Sequence, residues 1–171
     1  MNLPNKLTMA RIIMVPMVMA LIISGQNIWA AVVFAIASLT DFFDGYIARK
    51  YNLVSSFGKI MDPLADKLLT FGALLCFIQL GTVGVWAPMI IISREFFVTC
   101  MRVVAVSKGK VIAASWWGKI KTNVQIFALL FAIIFYNVYS IATAAVLWAA
   151  AIFTVASWIA YIFENIEIFK D

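Results

Sequence analysis

The chain has 171 residues, of which 65% are hydrophobic and 12% charged, and its formal net charge is +5. It contains no histidine and only two cysteines, and its mean hydropathy is +1.02. About half the residues of a soluble domain are apolar and about a quarter are charged. The composition therefore excludes an ordinary soluble domain, a disordered chain, a disulfide scaffold and any mechanism that needs an imidazole base. It predicts a polytopic membrane protein with one domain over residues 1–171.

Six apolar stretches, separated by small or polar residues, predict the secondary structure. A membrane-spanning helix needs about 20 predominantly apolar residues, so a chain of this length has room for roughly six of them. We therefore expect an all-α fold with transmembrane helices at residues 8–24, 28–48, 59–80, 86–106, 121–138 and 142–163.

The breaks between these stretches alternate in charge, and this alternation predicts the topology. The breaks after the first, third and fifth stretches carry no charge. Most of the basic residues fall at the start of the chain and after the second and fourth stretches: Lys6, Arg11, Arg49, Lys50, Lys59, Arg102, Lys108, Lys110, Lys119 and Lys121. Cytoplasmic loops of membrane proteins are enriched in Lys and Arg, so both termini and both charged loops are predicted to be cytoplasmic. The basic residues form no continuous run, so no nucleic-acid partner is expected.

The first apolar stretch does not have the pattern of a removable signal peptide. It follows Lys6, is interrupted by Arg11, and no small-residue cleavage site precedes the second stretch. We expect this helix to be retained. The lack of a targeting segment favours a bacterial inner membrane, with the charged loops facing the cytoplasm.

Four of the eight acidic residues fall inside or at the ends of two predicted membrane helices. Asp41 and Asp44 are three residues apart in the second stretch, and Asp62 and Asp66 are four apart in the third. On a helix, each of these spacings puts both residues of a pair on one face. Carboxylates inside a membrane are costly and mark functional sites by default. We expect the two pairs to converge between neighbouring helices, near the cytoplasmic surface.

Four converging carboxylates would repel one another and take up protons unless cations neutralised them. An oxygen-only ligand set, with no histidine or cysteine, suits hard ions such as Mg²⁺, Mn²⁺ or Ca²⁺ and argues against zinc. Mg²⁺ is usually held by a few carboxylates together with substrate phosphates. The small residues Gly45, Ala48 and Gly58 allow close approach of a ligand or of another helix, and Arg49 suits a phosphate. The pattern is typical of metal-assisted phosphoryl transfer.

These residues resemble the signature of the CDP-alcohol phosphotransferase family. The run D-F-F-D-G-Y-I-A-R at 41–49 is followed after eight residues by Gly58, Asp62 and Asp66. This spacing matches D-x-x-D-G-x-x-A-R, x(8), G-x-x-x-D-x-x-x-D. The stretches 2–11, 93–96 and 113–122 resemble one branch of that family, the phosphatidylglycerophosphate synthases. The resemblance implies transfer of a phosphatidyl group from CDP-diacylglycerol to glycerol 3-phosphate, which releases CMP.

The resemblance also implies roles for individual residues. Asp41, Asp44, Asp62 and Asp66 would bind two divalent ions, Mg²⁺ or Mn²⁺, and Asp66 would also be the catalytic general base. The residues expected to line the CDP pocket are Asn5, Thr8, Asp44, Gly45, Ala48, Arg49 and Gly58. Members of the family are commonly homodimers, so a homodimer surrounded by membrane lipid is expected.

A doubly charged soluble acceptor needs cations near the membrane surface. The candidates for binding its phosphate are Arg94, Arg102, Lys119 and Lys121. Arg94 lies in an otherwise apolar stretch, where an arginine needs a partner. Pairing with Glu95 or with an aspartate is the alternative explanation for Arg94. A role in membrane topology alone is the alternative for the two lysines.

Three other functions remain open at this point. The acceptor of a transferase of the same family could be serine, inositol phosphate or phosphatidylglycerol. The aspartates could instead belong to a divalent-cation or proton transporter, whose acids are expected near mid-membrane on broken helices with access from both sides. A lipid scaffold without catalysis would not need four clustered carboxylates.

Overall fold

The computed structural model describes the backbone of residues 3–50, 56–107 and 116–165, and the side chains of residues 5–40, 58, 61–106 and 116–165. These parts of the chain form six α-helices. They are α1 (Leu3–Ile23), α2 (Asn27–Lys50), α3 (Ser56–Gln79), α4 (Trp86–Ser107), α5 (Trp116–Phe135) and α6 (Ser140–Glu164). The all-α prediction is confirmed, with one helix for each predicted stretch.

Two helices begin several residues before the predicted positions. Helix α1 begins at Leu3 instead of residue 8, and α5 covers 116–135 instead of 121–138. The hydropathy pattern marks where a helix is apolar. At the start of α1 the polar residue Asn5 continues the helix beyond its apolar stretch, and its side chain is buried. Helix α5 ends earlier than predicted because the chain turns at residues 136–138, where Tyr139 N–H donates to the carbonyl of Phe135.

Three helical segments within the described residues are long and apolar enough to cross a membrane: Asn5–Ile23, Trp116–Phe135 and Ser140–Glu164. Asn27–Thr40 is a shorter apolar helix. Helices α3 and α4, with 24 and 22 residues, are as long as these segments, but charged residues interrupt their apolar sequence. The exterior of the bundle presents large apolar side chains, including Ile141 at 87% exposed and Phe127 at 71%, as expected for helices that contact lipid.

The uncharged connections close one end of the bundle. Gly25 and Gly81 adopt φ angles of +75° and +68° just after α1 and α3, where the left-handed conformation favours glycine at a helix C-terminus. At the same end, Tyr136 Oη donates a 2.7 Å hydrogen bond to the carbonyl of Ile22, and Asn27 Nδ2 donates to the carbonyl of Ile134 at 3.1 Å. The α1–α2 turn and the α5–α6 turn are thus joined.

Small residues allow the helices to pack closely. Helix α1 packs most extensively against α2 and α3, while α6 packs against α4 and α5. A Cβ atom added at Gly72 of α3 would lie 3.0 Å from Met19 Sδ and 3.1 Å from Val15 Cγ1 of α1. Close approach at small residues is how helices associate in membranes, where lipid is as apolar as the side chains.

Arg11 differs from its expected role as a charge that flanks the membrane. Its side chain is 0% exposed, and Nε donates a 3.2 Å hydrogen bond to the carbonyl of Ala37 on α2. The predicted topology therefore depends on the other basic residues, because a buried arginine between two helices contributes to packing.

The Tyr136–Ile22 hydrogen bond should contribute to stability. We expect Tyr136→Phe to lower the free energy of unfolding by about 1 kcal/mol, because it removes one buried hydrogen bond and leaves the ring in place. For a chain of this size the melting temperature should fall by roughly 2–4 °C. Thermal unfolding in detergent measures the shift. Tyr139→Phe, at an exposed tyrosine, is the matched control. An equal shift in both variants would contradict the assignment.

Candidate functional site

The charged end of the bundle begins with a contact between α1 and α3. Thr8 Oγ1 on α1 donates a 2.5 Å hydrogen bond to Asp62 Oδ1 on α3. Thr8 is 0% exposed, and Asn5 and Gly58 are buried as well. The structure thus brings the polar residues of the opening segment to the first of the two α3 aspartates.

Asp66 lies one helical turn further along α3 and faces a cavity of about 210 Å³. This acceptor cavity, as we call it, is lined by Asp66, Lys67, Arg94, Glu95, Val98, Thr99, Arg102, Gly118, Lys119 and Thr122. A second cavity of about 20 Å³, which we call the notch, adjoins it and is lined by Asp66, Lys67, Thr70, Glu95, Lys121, Thr122, Gln125 and Ile126. Four residues line both, so the two cavities lie side by side.

Glu95 joins the three helices around these cavities. Its carboxylate forms salt bridges with Lys67 Nζ of α3 and with Arg94 Nη1 of α4, each at an N···O distance of 3.2 Å. It also forms a salt bridge with Lys121 Nζ of α5. The side chains are largely buried, with exposed fractions of 15% or less. A buried ion pair needs several partners of opposite charge to offset the loss of hydration. Glu95 has three.

The acceptor cavity and the notch together carry a positive charge. Among the described residues that line them, five are basic and two are carboxylates. Glu95 is already shared among three of the cations, and Arg94 Nε is buried without a hydrogen-bond partner among the described residues. A guanidinium N–H in this state suits an oxyanion, since charge-assisted hydrogen bonds to phosphate are strong. The site can therefore hold a small phosphorylated molecule against Asp66.

The structure places all four residues predicted to bind the acceptor phosphate around Asp66. Arg94, Arg102 and Lys119 line the acceptor cavity, and Lys121 lines the notch. Lys119 is exposed, and its Nζ lies 5.9 Å from the centre of the Trp116 ring. Lys121 is 3% exposed.

The residues predicted on the second helix lie on α2, within Asn27–Lys50, but their side chains are outside the described residues. These are Asp41, Asp44, Gly45, Ala48 and Arg49. The predicted convergence of four aspartates stays a prediction for this reason. Among the side chains that the structure describes, no three His, Cys, Asp or Glu residues come together as a metal site.

The described part of the site fits a divalent cation in its chemistry. Asp62 and Asp66 are one turn apart on α3 and supply only oxygen atoms, which are the ligands that Mg²⁺ and Mn²⁺ prefer. Both side chains are partly buried and remain partly accessible from outside the protein. They can provide half of the predicted ligand set.

Sequence reasoning missed Lys67 and Gln125 and treated Glu95 only as a possible partner of Arg94. Glu95 is a fifth acidic residue within a predicted membrane helix, and such residues are functional by default, so the same rule could have found it. Lys67 directly follows Asp66 and could have been found in the same way. Gln125 gives no signal in the sequence, because its importance comes from the cavity beside it.

Comparison with known proteins identifies the family. The model of the CDP-alcohol phosphatidyltransferase family matches residues 1–156. The CDP-diacylglycerol--glycerol-3-phosphate 3-phosphatidyltransferase of Bacillus subtilis (strain 168) is 42% identical, and the match covers 99% of this chain and 97% of the relative. The enzyme of the same name from Rickettsia typhi is 39% identical, with 94% of each chain covered. A probable phosphatidylglycerophosphate synthase of Mycobacterium tuberculosis is also 39% identical over 94% of this chain.

The chain belongs to the CDP-alcohol phosphatidyltransferase family. With its long apolar helices, it is an integral membrane protein. The family resemblance inferred from the aspartate motif is confirmed.

Removing the charge of Glu95 should destabilise the site. We expect Glu95→Gln to lower the free energy of unfolding by about 3 kcal/mol, because three buried cations lose their shared counter-charge. Thermal unfolding in detergent measures this loss. Glu164→Gln, at an exposed position on α6, should leave the melting temperature unchanged. A Glu95→Gln variant as stable as the wild type would show that the ion pairs contribute no net stability.

Proposed function

We propose that this protein transfers the phosphatidyl group of CDP-diacylglycerol to glycerol 3-phosphate, giving phosphatidylglycerophosphate and CMP. The observation that carries the proposal is the acceptor cavity, in which Asp66 faces several basic side chains. The names of the bacterial relatives support the same reaction. Family membership favours this transferase over a cation transporter or a scaffold.

The reaction is a displacement at phosphorus. The hydroxyl oxygen of glycerol 3-phosphate attacks the phosphorus that carries the diacylglycerol, and the bond from this phosphorus to the oxygen of the CMP phosphate breaks. Asp66 accepts the proton of the attacking hydroxyl, and CMP leaves with the bonding electron pair. A carboxylate is a modest base, so holding the hydroxyl in line for attack contributes much of the rate.

The aspartates of α2 and α3 are proposed to hold the divalent ions, Mg²⁺ or Mn²⁺. The ligands would be Asp41, Asp44, Asp62 and Asp66. When bound, the ions neutralise charge on the diphosphate and on the leaving phosphate. The hydrogen bond from Thr8 fixes the orientation of Asp62 for this role.

The CDP group is proposed to lie between the start of α1, the end of α2 and the start of α3. The residues assigned to it are Asn5, Thr8, Asp44, Gly45, Ala48, Arg49 and Gly58. The Thr8–Asp62 contact supports this arrangement, because it puts the opening segment beside the α3 carboxylates.

The acceptor phosphate is assigned to the basic residues of α4 and α5. Arg94 and Arg102 approach from α4, and Lys119 and Lys121 from α5. Glu95 holds Arg94 and Lys121 in place, so the charge that binds phosphate is preorganised. Arg94 can therefore have both of the roles considered from the sequence. It pairs with Glu95, and it keeps one N–H for the acceptor phosphate.

For the membrane arrangement, we propose six spanning helices in one domain over residues 1–171, with both termini and the active site on the cytoplasmic side of a bacterial inner membrane. The uncharged turns at one end and the ionic site at the other support this orientation. Nucleotide and acceptor then reach the site from water, while the acyl chains stay in lipid. A homodimer is proposed from the family resemblance.

The direct test of the proposed function is release of CMP by the purified protein from CDP-diacylglycerol in the presence of Mg²⁺ or Mn²⁺. Glycerol 3-phosphate, serine, inositol phosphate and phosphatidylglycerol are offered separately. We expect CMP release only when the acceptor is glycerol 3-phosphate, and no release after EDTA treatment. Release with a different acceptor would contradict the acceptor assignment. The absence of release with all four would contradict the transferase.

The variant Asp66→Asn tests whether Asp66 is the general base. The variant keeps the size of the side chain but cannot take up the proton, so we expect kcat to fall by about 10²- to 10⁴-fold. The KM for CDP-diacylglycerol should change much less. Steady-state CMP release at saturating acceptor measures both constants, and Glu164→Gln should retain the wild-type values. Near wild-type turnover of Asp66→Asn would exclude Asp66 as the base.

A further inference from the structure

Gln125 of α5 has a buried oxygen atom that no described residue satisfies. The side chain is 6% exposed, and its Oε1 has no hydrogen-bond partner among the described residues. Buried polar atoms in native proteins are almost always paired, so an unpaired one needs an explanation. Gln125 lines the notch, together with Asp66, Lys121 and Glu95. Gln125 therefore lines the same small cavity as the residue that we propose as the base.

The size of the notch limits what can bind there. Its volume is about 20 Å³, and roughly 10–15 Å³ is needed for one water molecule by this kind of measure. The notch has room for one water-sized group. The adjoining acceptor cavity, at about 210 Å³, has room for a molecule of glycerol 3-phosphate size, which has about ten non-hydrogen atoms. One hydroxyl of a molecule bound in the acceptor cavity can thus enter the notch.

The two cavities that Asp66 lines each include a residue with an unpaired buried atom, and these two atoms differ in chemistry. Arg94 Nε, at the acceptor cavity, is a donor suited to a phosphate oxygen. Gln125 lines the notch, and its unpaired Oε1 is an acceptor suited to a hydroxyl group. The other buried side-chain atoms without a partner among the described residues belong to Thr143, Trp158 and Tyr161, which line neither cavity. With the reacting hydroxyl at Asp66, a phosphate beside Arg94 and a further hydroxyl beside Gln125 describe a polyol phosphate.

We propose that Gln125 determines acceptor specificity by accepting a hydrogen bond from the second, non-reacting hydroxyl of glycerol 3-phosphate. This inference rests on the proposed function and assigns a residue to one atom of the acceptor. A site built to hydrogen-bond a hydroxyl discriminates strongly against an analogue that lacks it, because its own polar atom is left unpaired. Gln125 would then select polyol phosphates over hydroxyalkyl phosphates of the same length that carry only the reacting hydroxyl.

The experiment compares two acceptors in the CMP-release assay with CDP-diacylglycerol and Mg²⁺ or Mn²⁺. One is glycerol 3-phosphate, and the other is 3-hydroxypropyl phosphate, which keeps the reacting hydroxyl and the phosphate but lacks the second hydroxyl. For the wild type we expect kcat/KM to be about 10- to 100-fold higher with glycerol 3-phosphate. In Gln125→Met, which has a similar size and no strong acceptor, this ratio should fall to within about 3-fold of unity. The loss should occur mainly with glycerol 3-phosphate.

Two further variants separate recognition from a structural effect. Gln125→Glu keeps an acceptor oxygen at the same distance from the backbone, so it should retain the preference for glycerol 3-phosphate even if both kcat/KM values fall. Thr143→Val removes another buried, unpaired oxygen that lies outside both cavities, and it should leave the ratio at the wild-type value.

The outcomes distinguish this inference from the proposed function. A wild-type protein inactive with both acceptors would overturn the proposed function itself. An active wild type whose ratio is unchanged in Gln125→Met would overturn only the role of Gln125, and would assign the notch to a water molecule. An equal loss with both acceptors would also overturn it, because the side chain would then support the site without reading the hydroxyl.

Discussion

The site depends on one buried carboxylate. Glu95 is shared by Lys67, Arg94 and Lys121, which come from three different helices. Without it, the basic side chains of α3, α4 and α5 would repel one another in surroundings of low polarity. With it, the same cations hold these helices together and frame the cavity in which Asp66 lies. The interaction that joins these helices also frames the cavity that we propose for the acceptor phosphate.

The two ends of the bundle have different physical characters. At the uncharged end, short turns and interhelical hydrogen bonds such as Tyr136–Ile22 close the structure. At the charged end, polar side chains face cavities, and two buried atoms, on Arg94 and Gln125, have no partner among the described residues. The uncharged end is closed by packing, whereas the charged end keeps polar atoms that can bind a ligand. This division suits an enzyme that holds a lipid substrate among its helices and takes a soluble acceptor from water.

Much of this arrangement could be predicted from the sequence, because apolar length determines the helices and costly intramembrane charges mark the site. The six helices and the family were predicted correctly. The exact helix starts were not, since buried polar residues such as Asn5 extend α1 past its apolar stretch. The burial of Arg11 was not predicted, because a sequence does not show whether a basic residue faces a neighbouring helix or the surface. Gln125 could be found only in three dimensions, because a cavity is a property of packing.

The central claim is that cations around Asp66 hold the phosphate of the acceptor. The most direct measurement is the KM for glycerol 3-phosphate in Arg94→Gln, compared with the KM for CDP-diacylglycerol in the same variant. The account predicts a rise of about 10- to 100-fold in the first, corresponding to the loss of one charge-assisted interaction, and little change in the second. Lys6→Gln, an exposed charge outside both cavities, should alter neither. An unchanged KM for glycerol 3-phosphate, or an equal rise for both substrates, would contradict the account.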